Sequence, residues 1–218
     1  MKLFALVLTL TLCATKPVMS QQKEADHPQA IKAANMIRAR SIVDEMNIRD
    51  KAKQDKVQSI LAQHLDSLQV VFKERKRGMD AAAESGGSKE LAEARAKAAW
   101  DAANGRFNKL HAYFLGRLSV ELTAEQNEQL KNLMTENGLQ REYSKFLIMF
   151  PALTDLQKAQ VLAYLKEARD NAMNAETPDN RVEWFIKYRG RTNNFLAAAG
   201  YDLRKATEEM QKGATTAK

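Results

Sequence analysis

One short phrase occurs twice in the chain, and each copy has the pattern of a helix start. Leu122-Thr123-Ala124-Glu125-Gln126 recurs as Leu153-Thr154-Asp155-Leu156-Gln157. The spacing Thr-x-x-Gln is that of a capping box. In a capping box the threonine hydroxyl accepts from the backbone N–H three residues on, and the glutamine side chain accepts from the threonine N–H. We therefore predict four helix-cap residues: Thr123, Gln126, Thr154 and Gln157.

The remainder of the chain after Pro28 also has a helical pattern. Ala, Leu, Lys, Glu, Gln and Arg dominate, and no sustained alternation of period two indicates strands. We expect an all-α, single-domain bundle of about six or seven helices. Helices over 50–83, 89–119 and 178–199 should supply most of the core, and Asn104-Gly105 leaves the continuity of the second one open. Two stripes are predicted to be buried: Val57, Ile60, Leu61, Leu68, Val71, Phe72 and Met79, and Trp100, Ala103, Phe107, Leu110, Phe114 and Leu118.

The first twenty residues have the pattern of a cleaved export signal. Lys2 precedes an apolar run over 3–14 that is too short for a lasting transmembrane anchor. We expect cleavage between Ser20 and Gln21, which gives a periplasmic or secreted protein with no transmembrane segment. Lipid anchoring at Cys13 is less favoured, because Leu12 stands where a lipoprotein signal has a small residue. The helical domain would then span 21–212, followed by a disordered tail over 213–218.

The basic balance of the chain does not by itself indicate a nucleic-acid partner. The formal net charge is +7, but Lys and Arg are interspersed with acidic residues, as at 73–77. Such runs are typical of solvated helix faces, and no basic stripe with interleaved aromatics occurs. We therefore expect no nucleic-acid binding. The only cysteine lies in the signal, so the mature chain should have no disulfide, and its oligomeric state stays open.

Two histidines lie within the predicted apolar stripes. His64 stands between Ile60 and Leu68, and His111 stands between Phe107 and Phe114. One interpretation is a facing pair that binds a metal or works as an acid–base couple. The other is a pair of buried histidines within a polar network. No His-x-x-x-His, Glu-x-x-His or cysteine cluster accompanies them, so we favour the second and predict no metal and no cofactor.

Two arginines fall on apolar helix faces. Arg169 lies among Leu162, Leu165 and Met173, and Arg189 shares an arc of the last long helix with further residues: Val182, Phe185, Ile186, Asn193 and Leu196. A buried arginine needs a partner, because an unpaired buried charge is costly. The two arginines could line a polar pocket for an anionic or sugar ligand, with Asn193 orienting it. We favour a structural network of Arg169 and Arg189 with carboxylates or carbonyls.

The opposite side of the same helix carries aromatic, basic and amide side chains: Trp184, Lys187, Tyr188, Arg191 and Asn194. Such a set suits stacking against a sugar, and it equally suits packing against a neighbouring helix. No Gly-rich phosphate loop or Gly-x-Ser-x-Gly occurs, and no pair of carboxylates stands out. We therefore expect a protein without catalytic residues.

The second half of the chain resembles a known family of uncharacterised secreted proteins, the domain of unknown function numbered 3826. The resemblance covers about residues 90–203 and rests on these phrases: His111-Ala112-Tyr113-Phe114, both capping boxes, Leu165-Lys166-Glu167-Ala168-Arg169, the run 184–196 and Gly200-Tyr201-Asp202. The stretch 130–136 departs from the family pattern. The resemblance implies export by saccharolytic Gram-negative bacteria and a genetic neighbourhood of polysaccharide-degrading enzymes. It implies no activity.

The resemblance also suggests which residues to test for binding. They are Lys187, Gly190, Arg191, Asn193 and Asn194, with Gly190 marking the close approach of a helix or ligand. A weaker similarity is to the Spy-like periplasmic chaperones, which carry paired Leu-Thr-x-x-Gln motifs. The leading hypothesis is an accessory protein of polysaccharide use that binds carbohydrate or oligosaccharide. The alternatives are a holdase-type chaperone that binds unfolded protein and, third, a carbohydrate-active enzyme.

Overall fold

The computed structural model of the protein describes residues 28–216, and the predicted signal, Cys13 and the cleavage position after Ser20 lie outside them. The described residues contain no strand, and none of their helices is long and apolar enough to cross a membrane. The helices, in chain order, are α1 (Pro28–Glu45), α2 (Lys51–Glu84), α3 (Lys89–Glu121), α4 (Ala124–Met134), α5 (Gly138–Met149), α6 (Asp155–Ala172), α7 (Pro178–Ala198) and α8 (Leu203–Thr216).

The all-α, single-domain prediction is confirmed, with eight helices in residues 28–216 where about six or seven were expected. The difference is α8, which Asp202 opens by accepting a hydrogen bond from the Lys205 N–H at 2.9 Å. This helix continues to Thr216, into the segment predicted to be a disordered tail. Helix α3 passes through Asn104-Gly105 without a break.

Helices α2 and α3 form a long antiparallel hairpin. Gly86 and Gly87 supply the turn, with φ of 64° and 102° in the left-handed region that residues with a side chain rarely adopt. Ser88 then caps α3, because its hydroxyl accepts from the Leu91 N–H at 3.3 Å. Two of the residues predicted to be buried along this hairpin are instead exposed, Met79 at 40% and Trp100 at 45%, and a third, Leu110, is only partly buried.

Both Thr-x-x-Gln phrases form capping boxes at the starts of α4 and α6. The glutamine side chain of each box also accepts a hydrogen bond from a distant part of the chain. Lys53 Nζ donates to Gln126 Oε1 at 2.9 Å. The Tyr201 hydroxyl donates to Gln157 Oε1, also at 2.9 Å. Each box therefore satisfies backbone groups at a helix start and also joins that helix start to a distant part of the chain.

The apolar core has two main parts. Buried side chains of α1 to α4, together with Met173 at the end of α6, form one cluster, and those of α5 to α8 form the other. The leucine of each repeated phrase contributes to a different part, since Leu122 lies in the first cluster and Leu153 in the second. A third, smaller cluster lies within the α2–α3 hairpin and contains Phe72 and Phe107. It forms the base of the site described next.

Candidate functional site

An open cleft of about 530 Å³ lies between the α2–α3 hairpin and the segment that joins α6 to α7. Five amide side chains and four aromatic ones line it. Such a concave site with a few convergent polar groups is the default place to look for ligand binding. The residues that line it are Phe72, Arg75, Trp100, Asn104, Phe107, Asn108, Asn171, Asn174, Ala175, Glu176, Asn180, Glu183, Trp184 and Lys187.

The first wall is one stripe of α3. Trp100, Asn104 and Asn108 follow one another at every fourth position, so they share a helix face. Both asparagines are exposed, and neither amide forms a hydrogen bond to another group of residues 28–216. Their donors and acceptors are therefore available to a ligand. Phe72 and Phe107 are buried below this stripe and form an apolar base for the cleft.

The second wall is the first half of α7. Thr177 caps this helix by accepting from the Asn180 N–H at 3.1 Å, and Pro178 occupies its first turn. The side chains of Asn180 and Glu183 are joined by a hydrogen bond of 3.2 Å. Trp184 is half-buried, and the ammonium nitrogen of Lys187 lies 4.8 Å from the centre of its indole ring. This wall thus also presents one tryptophan with polar neighbours.

Arg75 connects the two walls. Its Nη2 atom lies 2.8 Å from Oε2 of Glu176, in the loop between α6 and α7. The guanidinium carbon lies 4.9 Å from the ring centre of Trp100 and 5.4 Å from that of Phe72. A guanidinium over an aromatic face is attracted by the ring quadrupole, which helps to fix both groups. Arg75 therefore holds the Trp100 ring in place and ties it to the loop that leads into the opposite wall.

Behind the cleft, the structure brings His64 and His111 together beside Asn174. His64 is 5% exposed and stacks on Phe114 with ring centres 4.0 Å apart. Burial, with the nearby His111, lowers the pKa of His64 to about 3, so its imidazole is neutral at pH 7. Burial also lowers the pKa of His111. No cluster of three or more His, Cys, Asp or Glu residues that could hold a metal occurs in residues 28–216.

Arg169 lies in the interior, where it joins α6 to α4. It is 2% exposed, its Nη1 donates to Asn132 Oδ1 at 2.7 Å, and its Nη2 lies 2.9 Å from Glu128 Oε2. Its Nε lies 3.6 Å from Oδ1 of Asp170, a residue that also acts on His111. Arg169 is thus part of the same polar region as the two histidines, and it does not line the cleft.

Arg189 lies at a different contact, the one between α7 and α5. It binds Glu142 of α5 through two hydrogen bonds of 2.7 and 2.8 Å. The Glu142 side chain is only 8% exposed. Burial alone would raise the pKa of Glu142, but Arg189, with Lys145, more than offsets this and lowers it below its usual value. Arg169 and Arg189 therefore do not share one pocket. Each pairs with a carboxylate on a different helix, as expected from the structural network that was favoured over a ligand pocket.

The buried face of α7 also differs from the predicted arc. Val182 and Ile186 are about half exposed, and the buried residues are Arg181, Phe185, Thr192 and Leu196. The centre of the buried face is rotated by roughly 60° on a helix wheel, and Phe185 and Leu196 belong to both faces. Phe185 packs against Gly138 at the start of α5, where a side chain would not fit. The sequence pattern of α7 alone could not reveal this contact.

Of the six residues predicted to bind a ligand, two line the cleft, namely Trp184 and Lys187. Tyr188 lies at its edge, with its hydroxyl 3.5 Å from Asn171 Nδ2. Arg191 does not line the cleft, and it binds Glu167 at 2.7 Å while its guanidinium carbon lies 4.3 Å from the Tyr164 ring centre. Half-buried Asn193 and exposed Asn194 do not line it either.

Gly190 was predicted to mark the close approach of a helix or a ligand, and the structure contradicts the first alternative, since no neighbouring helix approaches it. Apart from its chain neighbours and the backbone of its own helix, no atom lies within 4 Å of where its Cβ would be. At Gly138, by contrast, a Cβ would lie 2.5 Å from Cε2 of Phe185. The close helix contact of α7 is therefore permitted by a glycine on its neighbour α5.

These two glycines should respond in opposite ways to substitution by alanine. Gly138→Ala should destabilise the fold by about 1–3 kcal/mol, because the methyl group overlaps the Phe185 ring. Gly190→Ala should stabilise it by about 0.5–1 kcal/mol, since it removes backbone freedom within a helix at no steric cost. Urea unfolding of both variants measures the difference. A Gly138→Ala protein as stable as Gly190→Ala would contradict the packing described for α5 and α7.

Sequence reasoning missed most of the cleft. Trp100 was placed in the core, and Arg75, Asn104 and Asn108 were not identified. The signal that could have found them is the spacing of Trp100, Asn104 and Asn108, which places one indole and two amides on the same face of a helix. The asparagines around the α6–α7 junction, at 171, 174 and 180, are a second such signal.

The comparisons with known proteins agree with the resemblance found from the sequence. No curated protein matches the chain. One protein family, described as "Protein of unknown function (DUF3826)", matches residues 32–215. This match includes α1 and α2, which the resemblance over about residues 90–203 had left out. The similarity to Spy-like chaperones still rests on the two capping boxes alone. Because the match covers most of the chain, the protein belongs to the DUF3826 family.

Proposed function

We propose that the protein is an exported, non-catalytic carbohydrate-binding protein that assists polysaccharide use, and that the cleft between α3 and α7 is its binding site. The observation that carries this proposal is that each wall presents one tryptophan together with asparagine side chains that line the cleft. A sugar ring has faces of C–H groups, which pack on an indole, and a rim of hydroxyls, which need both donors and acceptors. Tryptophan and asparagine side chains supply these.

The proposal moves the binding residues away from the second half of α7. Trp184 and Lys187 stay in the predicted set, while Arg191, Asn193 and Asn194 leave it because they lie outside the cleft. Trp100, Asn104 and Asn108 take their place. The two facing walls of the site, α3 and α7, are thus far apart in sequence.

A chaperone that holds unfolded chains would need a contiguous apolar surface. The exposed large apolar side chains of residues 28–216 are distributed over six helices, α1, α2, α3, α5, α6 and α7. The cleft, in contrast, collects amides and charged groups around two indoles. These features favour a polar ligand with apolar ring faces over an unfolded polypeptide.

The test is thermal melting of the mature protein over a panel of polysaccharides and their oligosaccharides. A ligand present at about a hundred times its Kd should stabilise the fold by about 2.7 kcal/mol. Trp184→Ala should weaken binding by about tenfold or more, the factor that a loss of about 1.4 kcal/mol produces. Tyr113→Ala serves as the matched control, because Tyr113 is an exposed aromatic residue that does not line the cleft.

Three results would contradict the proposal. The first is a panel in which no carbohydrate raises the melting temperature, and the second is equal binding by the Trp184→Ala and wild-type proteins. The third is release of shorter sugars from a bound glycan, which would make the protein an enzyme. Suppression of a client's aggregation, without any glycan effect, would support the chaperone hypothesis instead.

A further inference from the structure

The charged groups of the cleft balance one another. Arg75 and Lys187 contribute two positive charges, and Glu176 and Glu183 contribute two negative ones. Arg75 is already paired with Glu176 at 2.8 Å, and Glu183 accepts a hydrogen bond from Asn180. An acidic ligand would therefore meet two carboxylates, and a basic ligand would meet two cations. Neither an acidic nor a basic ligand would thus meet an excess of opposite charge in the cleft.

The uncharged polar groups of the cleft outnumber the charged ones. Five asparagines line it, at positions 104, 108, 171, 174 and 180. Each amide carries two donors and an acceptor, which is the requirement of a hydroxyl group that both donates and accepts. The composition of the site thus favours a ligand that offers many hydroxyls and no net charge.

The two tryptophans belong to helices that do not pack directly against each other in the described part of the chain. Trp100 stands on α3 and Trp184 on α7, and Arg75 covers part of the first ring while Lys187 covers part of the second. One sugar ring stacks on one indole. A ligand that uses both rings must therefore place separate sugar units at the two walls.

From these observations we infer that the cleft binds a neutral glycan chain that contacts both tryptophans at once, rather than a single sugar or an acidic glycan. This inference rests on the proposed function and specifies its ligand. Arg75 and Lys187 act as hydrogen-bond donors and as supports of the indole rings, and their charges do not select an anion.

The experiment is isothermal titration calorimetry of the mature protein with two series of oligosaccharides. The neutral series contains glucose, mannose and xylose oligomers from monosaccharide to hexasaccharide, and the acidic series contains galacturonic acid oligomers of the same lengths. Affinity for at least one neutral series should rise steeply with length and then level off once both walls are occupied. The acidic oligomer of equal length should bind at least tenfold more weakly.

Variants on each wall separate the two contributions. Trp100→Ala and Trp184→Ala should each reduce the affinity for the longest neutral ligand to that of a short one, because only one wall remains. The double variant Asn104→Ala/Asn108→Ala tests the first wall without removing a ring, and both residues are exposed, so the fold should be retained. Tyr113→Ala should behave as wild type.

Three outcomes would overturn the inference, and they can be told apart. Equal or tighter binding of acidic oligomers would refute the neutral ligand and leave the proposed function standing. A monosaccharide that binds as tightly as the hexasaccharide would refute the use of both walls. If no carbohydrate of either series binds, the proposed function fails together with the inference.

Discussion

Replacing Arg169 by methionine should destabilise the protein by about 3 kcal/mol, one of the two largest effects that we expect. The Arg169 side chain is 2% exposed and joins α6 to α4 through Asn132 and Glu128. Methionine keeps much of the side-chain volume and removes the guanidinium. Breaking a buried charge pair by removal of one partner typically costs about 3–5 kcal/mol. The half-exposed position of Glu128 places the expected loss at the lower end.

Arg191→Met is the matched control for this substitution. Arg191 also forms an ion pair with a carboxylate, that of Glu167 at 2.7 Å, but both side chains are about half exposed. Exposed ion pairs contribute about 0–1 kcal/mol. Guanidinium chloride unfolding of both variants provides the comparison. A loss below about 1 kcal/mol in Arg169→Met would show that the α4–α6 contact does not depend on this arginine.

The stability of the protein should fall by about 2 kcal/mol when the pH is lowered from 7 to 5. His64 has a pKa of about 3 in the folded protein and about 6.5 in the unfolded chain. Below pH 6.5 His64 binds a proton in the unfolded chain but stays neutral in the folded protein. The stability present above pH 6.5 is therefore lost progressively as the pH falls towards 3. Each pH unit in that window costs about 1.4 kcal/mol. His111, whose pKa is also lowered, acts in the same direction.

The variant His64→Leu isolates this effect. It removes the titrating group, so its stability should depend on pH less steeply than that of the wild type between pH 7 and 5. The paired carboxylates Glu128, Glu136 and Glu142 have lowered pKa values and lose their contribution only below their usual value of 4.5. Urea unfolding at several pH values measures both slopes. A wild-type stability that stays constant over this window would contradict a neutral, buried His64.

The fold was predictable where the signal is local. A capping box is decided within four residues, so Thr123 and Thr154 could be assigned from the sequence. The turn at Gly86-Gly87 is equally local. The second hydrogen bonds of the two boxes, from Lys53 and Tyr201, join parts of the chain 73 and 44 residues apart. No local pattern contains that information.

The cleft was less predictable, because its parts come together only in the tertiary structure. Trp100 has the spacing of a core residue, and only the position of α7 and of the α6–α7 loop leaves its ring at the edge of a cleft. Arg169 was expected to need a partner, yet Asn132 and Glu128 lie on another helix. The packing partner of Phe185 was hidden for a related reason, since the glycine that admits its ring belongs to α5.

Tryptophan fluorescence gives the most direct test of carbohydrate binding in the cleft. The chain contains two tryptophans, and both line this cleft. Titration with the neutral oligosaccharide that most stabilises the protein should change the emission spectrum in a saturable way, with a half-saturation concentration equal to the Kd from calorimetry. A glycan that binds by calorimetry while the emission stays unchanged would place its binding elsewhere and contradict the assignment of the cleft.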